Sequence, residues 1–209
     1  ITNASAVRDW KFFQPGHRKT PAGAWQDRLR HFADTLQRIH FSAPPDLRLD
    51  LHGDARDLQS FSLLTTISAP GAQTPWGAVS EGHFQARLFP ATSNELSRVE
   101  MSLDAAGART PWATTEDLHL RINLASLAGP TNAVDGFLTC TAAQARTRWA
   151  QATQAQLTVQ WTHALTNPIP LAGHAALRAE HASTQWATAR NLRLSANFDH
   201  AQGPTPPPV

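Results

Sequence analysis

Residues 101–124 read Met101-Ser-Leu-Asp-Ala-Ala-Gly-Ala-Arg-Thr-Pro-Trp112-Ala-Thr-Thr-Glu-Asp-Leu-His-Leu-Arg-Ile-Asn-Leu124. Beyond the tryptophan, Leu118, Leu120, Ile122 and Leu124 alternate with His119, Arg121 and Asn123. A period of two predicts a β-strand with one apolar and one wet face. Helical spacing would put leucine and arginine on the same side. Before the tryptophan, Met101, Leu103 and Ala105 alternate with Ser102 and Asp104, which predicts a second strand. Between Ala105 and Ala108 the parity shifts by one beside Gly107, as a bulge or a turn would make it do. The hairpin turn falls either at that shift or at Thr110-Pro-Trp112, where Pro111 suits a turn.

The same stretch recurs. Trp76, Trp112, Trp149 and Trp186 are 36, 37 and 37 residues apart, each with an alanine four residues before it and a threonine two before it. The alternating apolar positions after them are Gly82, Phe84, Ala86 and Leu88; then Leu118 to Leu124; then Ala155, Leu157, Val159 and Trp161; then Leu192, Leu194, Ala196 and Phe198. The strand before each Trp also recurs, as Thr65-Ile67-Ala69, Leu138-Cys140-Ala142 and Ala175-Leu177-Ala179. A fixed period of this size marks a repeat architecture, in which each unit needs its neighbours to bury its apolar face. Polar connections at 90–95, 129–132 and 166–170 make an antiparallel meander the simplest topology. The expected fold is mainly β, an antiparallel repeat sheet of about four 37-residue two-strand units. A partial unit precedes them, in which Leu47, Leu49 and Leu51 follow Phe41 in the place of the Trp.

One helix is expected ahead of the strands, over residues 21–39. Thr20-Pro21 supplies a cap and a first-turn proline, and Trp25, Leu29, Phe32, Leu36 and Ile39 share one face. Packed on the first strands, it would cap one open end of the stack. The expected organisation is an extended segment over 1–19, a β domain with its leading helix over 20–200, and a proline-rich tail over 201–209.

Charged residues make up only 16% of the chain, the net charge is +2, and no basic cluster is interleaved with aromatics. Nucleic acid is therefore not an expected partner. Arginine far outnumbers lysine and alanine is abundant, a bias expected of a GC-rich bacterial genome. A single cysteine excludes an internal disulfide, and Cys140, where other copies have Ile67, Leu103 and Leu177, reads as a small hydrophobe. No apolar run approaches the ~18 residues of a membrane-spanning helix.

No catalytic motif stands out, and no enzyme activity or cofactor is expected. Glu116 and Asp117 are adjacent, so on a strand they would point to opposite faces. His83 and His119 hold equivalent places, but two strand steps would hold them roughly 9–10 Å apart, too far for one ion, and they read as solvated rather than metal ligands. The tryptophans Trp76, Trp112, Trp149 and Trp186 form an aromatic ladder. It either closes each repeat against its neighbours or offers rings to acyl chains or sugars.

A helix leading into Ser42-Ala-Pro-Pro-Asp-Leu-Arg-Leu-Asp-Leu-His-Gly53, then two-strand units of the form Leu103-x-x-Ala-Gly-Ala-x-Thr-Pro-Trp112, resembles the AsmA-like family over about residues 20–200. Proteins of that family are large envelope proteins of Gram-negative bacteria, usually held by an N-terminal membrane helix. The resemblance implies a curved sheet folded into a groove with an apolar floor, in the periplasm, helping to move lipid between membranes. Phospholipid or another acyl-chain lipid is then the implied partner, with envelope proteins beside it and an anchor outside this segment. The groove lining would be Phe84, Ala86, Leu88, Leu120, Ile122, Leu124, Leu157, Val159, Trp161, Leu194, Ala196 and Phe198. The other class to weigh is a cell-surface stalk or carbohydrate-binding adhesin with a closed core. An outer-membrane barrel is disfavoured because the chain has no tyrosine for aromatic girdles.

Overall fold

The computed structural model describes residues 34, 38–54, 56–57, 60–91, 97–127, 133–164 and 167–199. Among these, ten strands form one antiparallel sheet: β1 His40–Phe41, β2 Asp46–His52, β3 Ser62–Thr74, β4 Gly77–Phe89, β5 Arg98–Arg109, β6 Ala113–Ser126, β7 Ala133–Thr147, β8 Ala150–Ala164, β9 Asn167–Thr184 and β10 Thr188–Asp199. Strands β3 to β10 follow one another in chain order, a meander, while β1 and β2 both pair with the outer side of β3. The sheet does not close, so β10 forms one edge and β1 with β2 the other.

The hairpin turn lies at the tryptophan. Thr74 faces Gly77 across a two-residue loop, Pro75-Trp76, and the other three hairpins turn in the same way at Pro111-Trp112, Arg148-Trp149 and Gln185-Trp186. None of these loop residues has a positive φ, so the turns lack the left-handed backbone that usually matches strand twist. The invariant threonine supplies the missing support. The Oγ1 of Thr74, Thr110, Thr147 and Thr184 accepts a hydrogen bond from the following Trp backbone N–H at 3.2 Å in every copy. In the last three copies it also accepts from the alanine N–H one residue on. This is the local side-chain turn that serine and threonine favour, and it explains the fixed Thr-x-Trp spacing.

The parity shift is a separate feature. Five residues beyond each Trp stand Glu81, Asp117, Gln154 and Asn191, all with left-handed φ of 48–54°. Opposite them Pro70, Ala106, Ala143 and Glu180 also drop out of the ladder, and the pairing then resumes without a slip. Because each strand skips one residue, both change face together. Ala69 pairs Gly82 on one side of the break, and Ala72 pairs Val79 on the other. Pro70 has no N–H to donate, and an unladdered position is where an interior strand can hold it.

Two expectations change. Phe41 does not take the place of a Trp, because it lies within β1 opposite Ala72 and not at a turn. Leu47 pairs with Ile67, as Phe84 does, so β2 sits two residues from the alignment that Phe41 implied. The four-residue break between β1 and β2 shifts their pairing to β3 by one. The helix expected over 21–39 lies outside the described residues apart from Asp34, Arg38 and Ile39, as do the 1–19 segment and the whole 201–209 tail.

Burial follows the repeat. Ala69, Ala105, Ala142 and Ala179, at one equivalent position, are buried, together with Ala133 and Val134. No large side chain among the described residues is fully buried. Among the described residues the sheet is held by lateral packing, with no second layer over its apolar side, and this gives the pattern.

Candidate functional site

Strand pairing assembles the apolar positions of all the hairpins into rows running across the strands. One row is Leu47, Ile67, Phe84, Leu103, Leu120, Cys140, Leu157, Leu177 and Leu194, each paired with the next. Nine strands at roughly 4.8 Å per step make this stripe about 38 Å long. A second row carries Leu49, Thr65, Ala86, Met101, Ile122, Leu138, Val159, Ala175 and Ala196. A third carries Leu51, Leu63, Leu88, Val99, Leu124, Gly136, Trp161, Gly173 and Phe198.

All twelve lining residues expected from the sequence fall in these three rows. Those on β4, β6 and β8 (Phe84, Ala86, Leu88; Leu120, Ile122, Leu124; Leu157, Val159, Trp161) are half-buried. Those on β10 (Leu194, Ala196 and Phe198) are exposed. Four of the nine residues in each row come from the strands before the Trp, which the expected lining left out: Ile67, Leu103, Cys140 and Leu177 in the first row. Their signal was the same period of two at the same distance from each Trp. Large and small residues alternate where the third row reaches its end. A Cβ at Gly136 would run into the Trp161 indole, and one at Gly173 into the Phe198 ring. The aromatic rings therefore cover the glycines and keep the row continuous, a device that rescues glycine in sheets.

The tryptophan ladder is not part of this face. Trp76, Trp112, Trp149 and Trp186 stand at the hairpin tips and are 60%, 71%, 55% and 76% exposed. They do not seal a repeat edge by burial.

The opposite face is polar. Ser68 Oγ and His83 Nδ1 are 2.8 Å apart, and His119 Nδ1 lies 2.5 Å from Asp104 Oδ1. His119 Nε2 also approaches Asp117 Oδ1 at 3.3 Å. The hydrogen bond that the His119 ring donates to Asp104 holds the His119 pKa above its ordinary 6.5. No group of three or more metal-binding side chains exists among the described residues. A hollow of about 250 Å³ on this polar face is lined by Gln156, Thr158, Gln160, His174, Ala176 and Arg178. Another of about 550 Å³ lies toward the inter-hairpin loops, among Asn123, Asp135, Phe137, Gln160, Trp161 and His174. Among the described residues no helix is long and apolar enough to cross a membrane. No protein-family model, curated protein or solved structure matches this chain.

Proposed function

We propose that the chain is an AsmA-like envelope segment, whose apolar face carries or shields lipid acyl chains in the periplasm. In this reading the sheet curls into a groove of about four repeated hairpins and one partial unit, led by the helix over 21–39. The observation that carries it is the unbroken 38 Å-scale apolar stripe, whose residues are packed sideways and include no fully buried large side chain among the described residues. Monomeric soluble proteins rarely leave so large an apolar patch without a partner. An acyl chain lying along the stripe gains about 0.8 kcal/mol per methylene removed from water. A stalk with a sealed core would bury the residues of this face, whereas Leu120 and Ile122 are half-buried.

Ile122→Glu tests the proposal. On an open face the carboxylate reaches water, so the variant should fold with an unchanged circular dichroism spectrum. Its organic extract should contain less phospholipid by mass spectrometry, since each passing chain must desolvate the charge. Unfolding would favour the sealed core, and a folded variant with lipid content unchanged would remove this face as the path.

A further inference from the structure

Every hairpin ends alike at one end of the sheet. Each Trp is the second residue of a two-residue loop, the point of the hairpin farthest from the strands. Successive tips are two strands apart, so the four indoles recur at roughly 9–10 Å and span about 29 Å. The loop residues beside them are small or rigid in two copies, Thr74-Pro75 and Thr110-Pro111, and all four tryptophans are more than half exposed.

The charge nearest the tips is positive. Arg148 lies in a loop and Arg109 and Arg146 stand two residue pairs from their turns with no acid between, while Arg190 and Glu116 follow at the fourth pair and Glu81, Asp117 and Glu180 just beyond it. None of these arginines joins an ion pair, and Arg148 lies 3.9 Å over the Trp149 ring. Farther from the tips, Arg48 and Arg98 are paired with Asp50 and Glu100.

We propose that the row of tryptophan tips seats on a lipid bilayer surface bearing anionic headgroups. An indole has an apolar body and one N–H donor, which suits the headgroup level of a membrane. Unpaired guanidiniums beside it can grip headgroup phosphates in bidentate fashion. A neutral sugar stacked on the rings would leave the four unpaired arginines without a role. The contact does not depend on acyl chains binding the apolar face. The first bulky row, with Phe84, Leu120, Leu157 and Leu194, begins eight residues beyond each Trp.

The test mixes the whole 209-residue chain with phosphatidylcholine vesicles, with and without phosphatidylglycerol, and follows co-sedimentation and tryptophan emission. The protein should sediment with the anionic vesicles, with a blue-shifted emission that added salt reverses. Trp112→Ser combined with Trp186→Ser should abolish the shift and most of the binding. Arg146→Ser with Arg148→Ser should weaken anionic binding on the order of tenfold. All four side chains are exposed, so circular dichroism should be unchanged. Ile122→Glu should bind vesicles normally, and the tryptophan variant should keep any co-extracted phospholipid, which separates this contact from the acyl-chain path. Failure to sediment with either vesicle, or full binding by both double variants, would overturn the proposal. Retention on an insoluble glycan in place of vesicles, lost with the tryptophans, would overturn it in favour of sugar stacking.

Discussion

The hairpins β5–β6 and β9–β10 have the same turn, the same left-handed break and the same pairing, Leu103 with Leu120 and Leu177 with Leu194. Yet Leu120 is half-buried and Leu194 is 55% exposed. The difference is one neighbour. Cys140 of β7 stands beside Leu120, whereas among the described residues no strand pairs beyond Leu194 at the open edge. Burial on this face therefore comes from strands at either side and not from a layer above. A sheet built so can lengthen strand by strand, as repeat proteins do, while its apolar surface stays accessible.

The comparison can be broken by truncating both members of the pair. Leu120→Ala should destabilise by about 2 kcal/mol, toward the low end for a packed leucine because one side is open, and Leu194→Ala by less than about 1 kcal/mol. Equal losses in urea unfolding would show that the two leucines share one environment. Thr110→Ala and Thr184→Ala act on the turns, which are alike in both hairpins. Each should cost about 1 kcal/mol for the lost hydroxyl acceptor, and a clear inequality would mean that the edge hairpin turns differently.

A smaller effect sharpens the role of the left-handed breaks. Glu81→Gly relieves a strained φ of 49° but frees the unfolded chain, so it should gain only about 0.5 kcal/mol. Asn191 has a similar φ of 54°, but asparagine tolerates it, so Asn191→Gly should bring no gain. The smallest effect is confined to the interior hairpin. His119 has its pKa raised, chiefly by the Asp104 hydrogen bond. Its contribution to stability is fully present below about 6.5, its unfolded value, and is lost as pH rises through the folded value. In an NMR titration Asp104→Asn should bring the His119 midpoint down; an unmoved midpoint would rule out the pairing.

Much of the sheet was legible because side-chain direction on a strand has a period of two, and four copies repeat the same phase around Trp76, Trp112, Trp149 and Trp186. Where the turn falls was not. Both Gly107 and Pro111 carry turn chemistry, and only the Thr110 hydroxyl, bonded to the Trp112 N–H, decides between them. Glu81 and Gln154 could not be recognised as left-handed, since neither residue type favours that conformation. The candidate face was visible as alternating residues on single strands. Its continuity across nine strands depends on register, and register needs the turn position. Phe41 misled because an aromatic at nearly the right spacing resembles a Trp equivalent, while Ser42-Ala-Pro-Pro45 breaks the strand and shifts its pairing.

Cys140 is the single thiol of the chain, and it sits near the middle of the first apolar row, between Leu120 and Leu157. Burial pushes its pKa up, so its reaction is best followed at mildly alkaline pH. The direct test of an open, lipid-bearing face is the rate at which a small maleimide modifies Cys140 in the native protein, with and without loaded phospholipid. On an open face the thiol should react without denaturant, slowed severalfold when lipid is loaded. A thiol that reacts only after unfolding, or at the same rate with and without lipid, would contradict it.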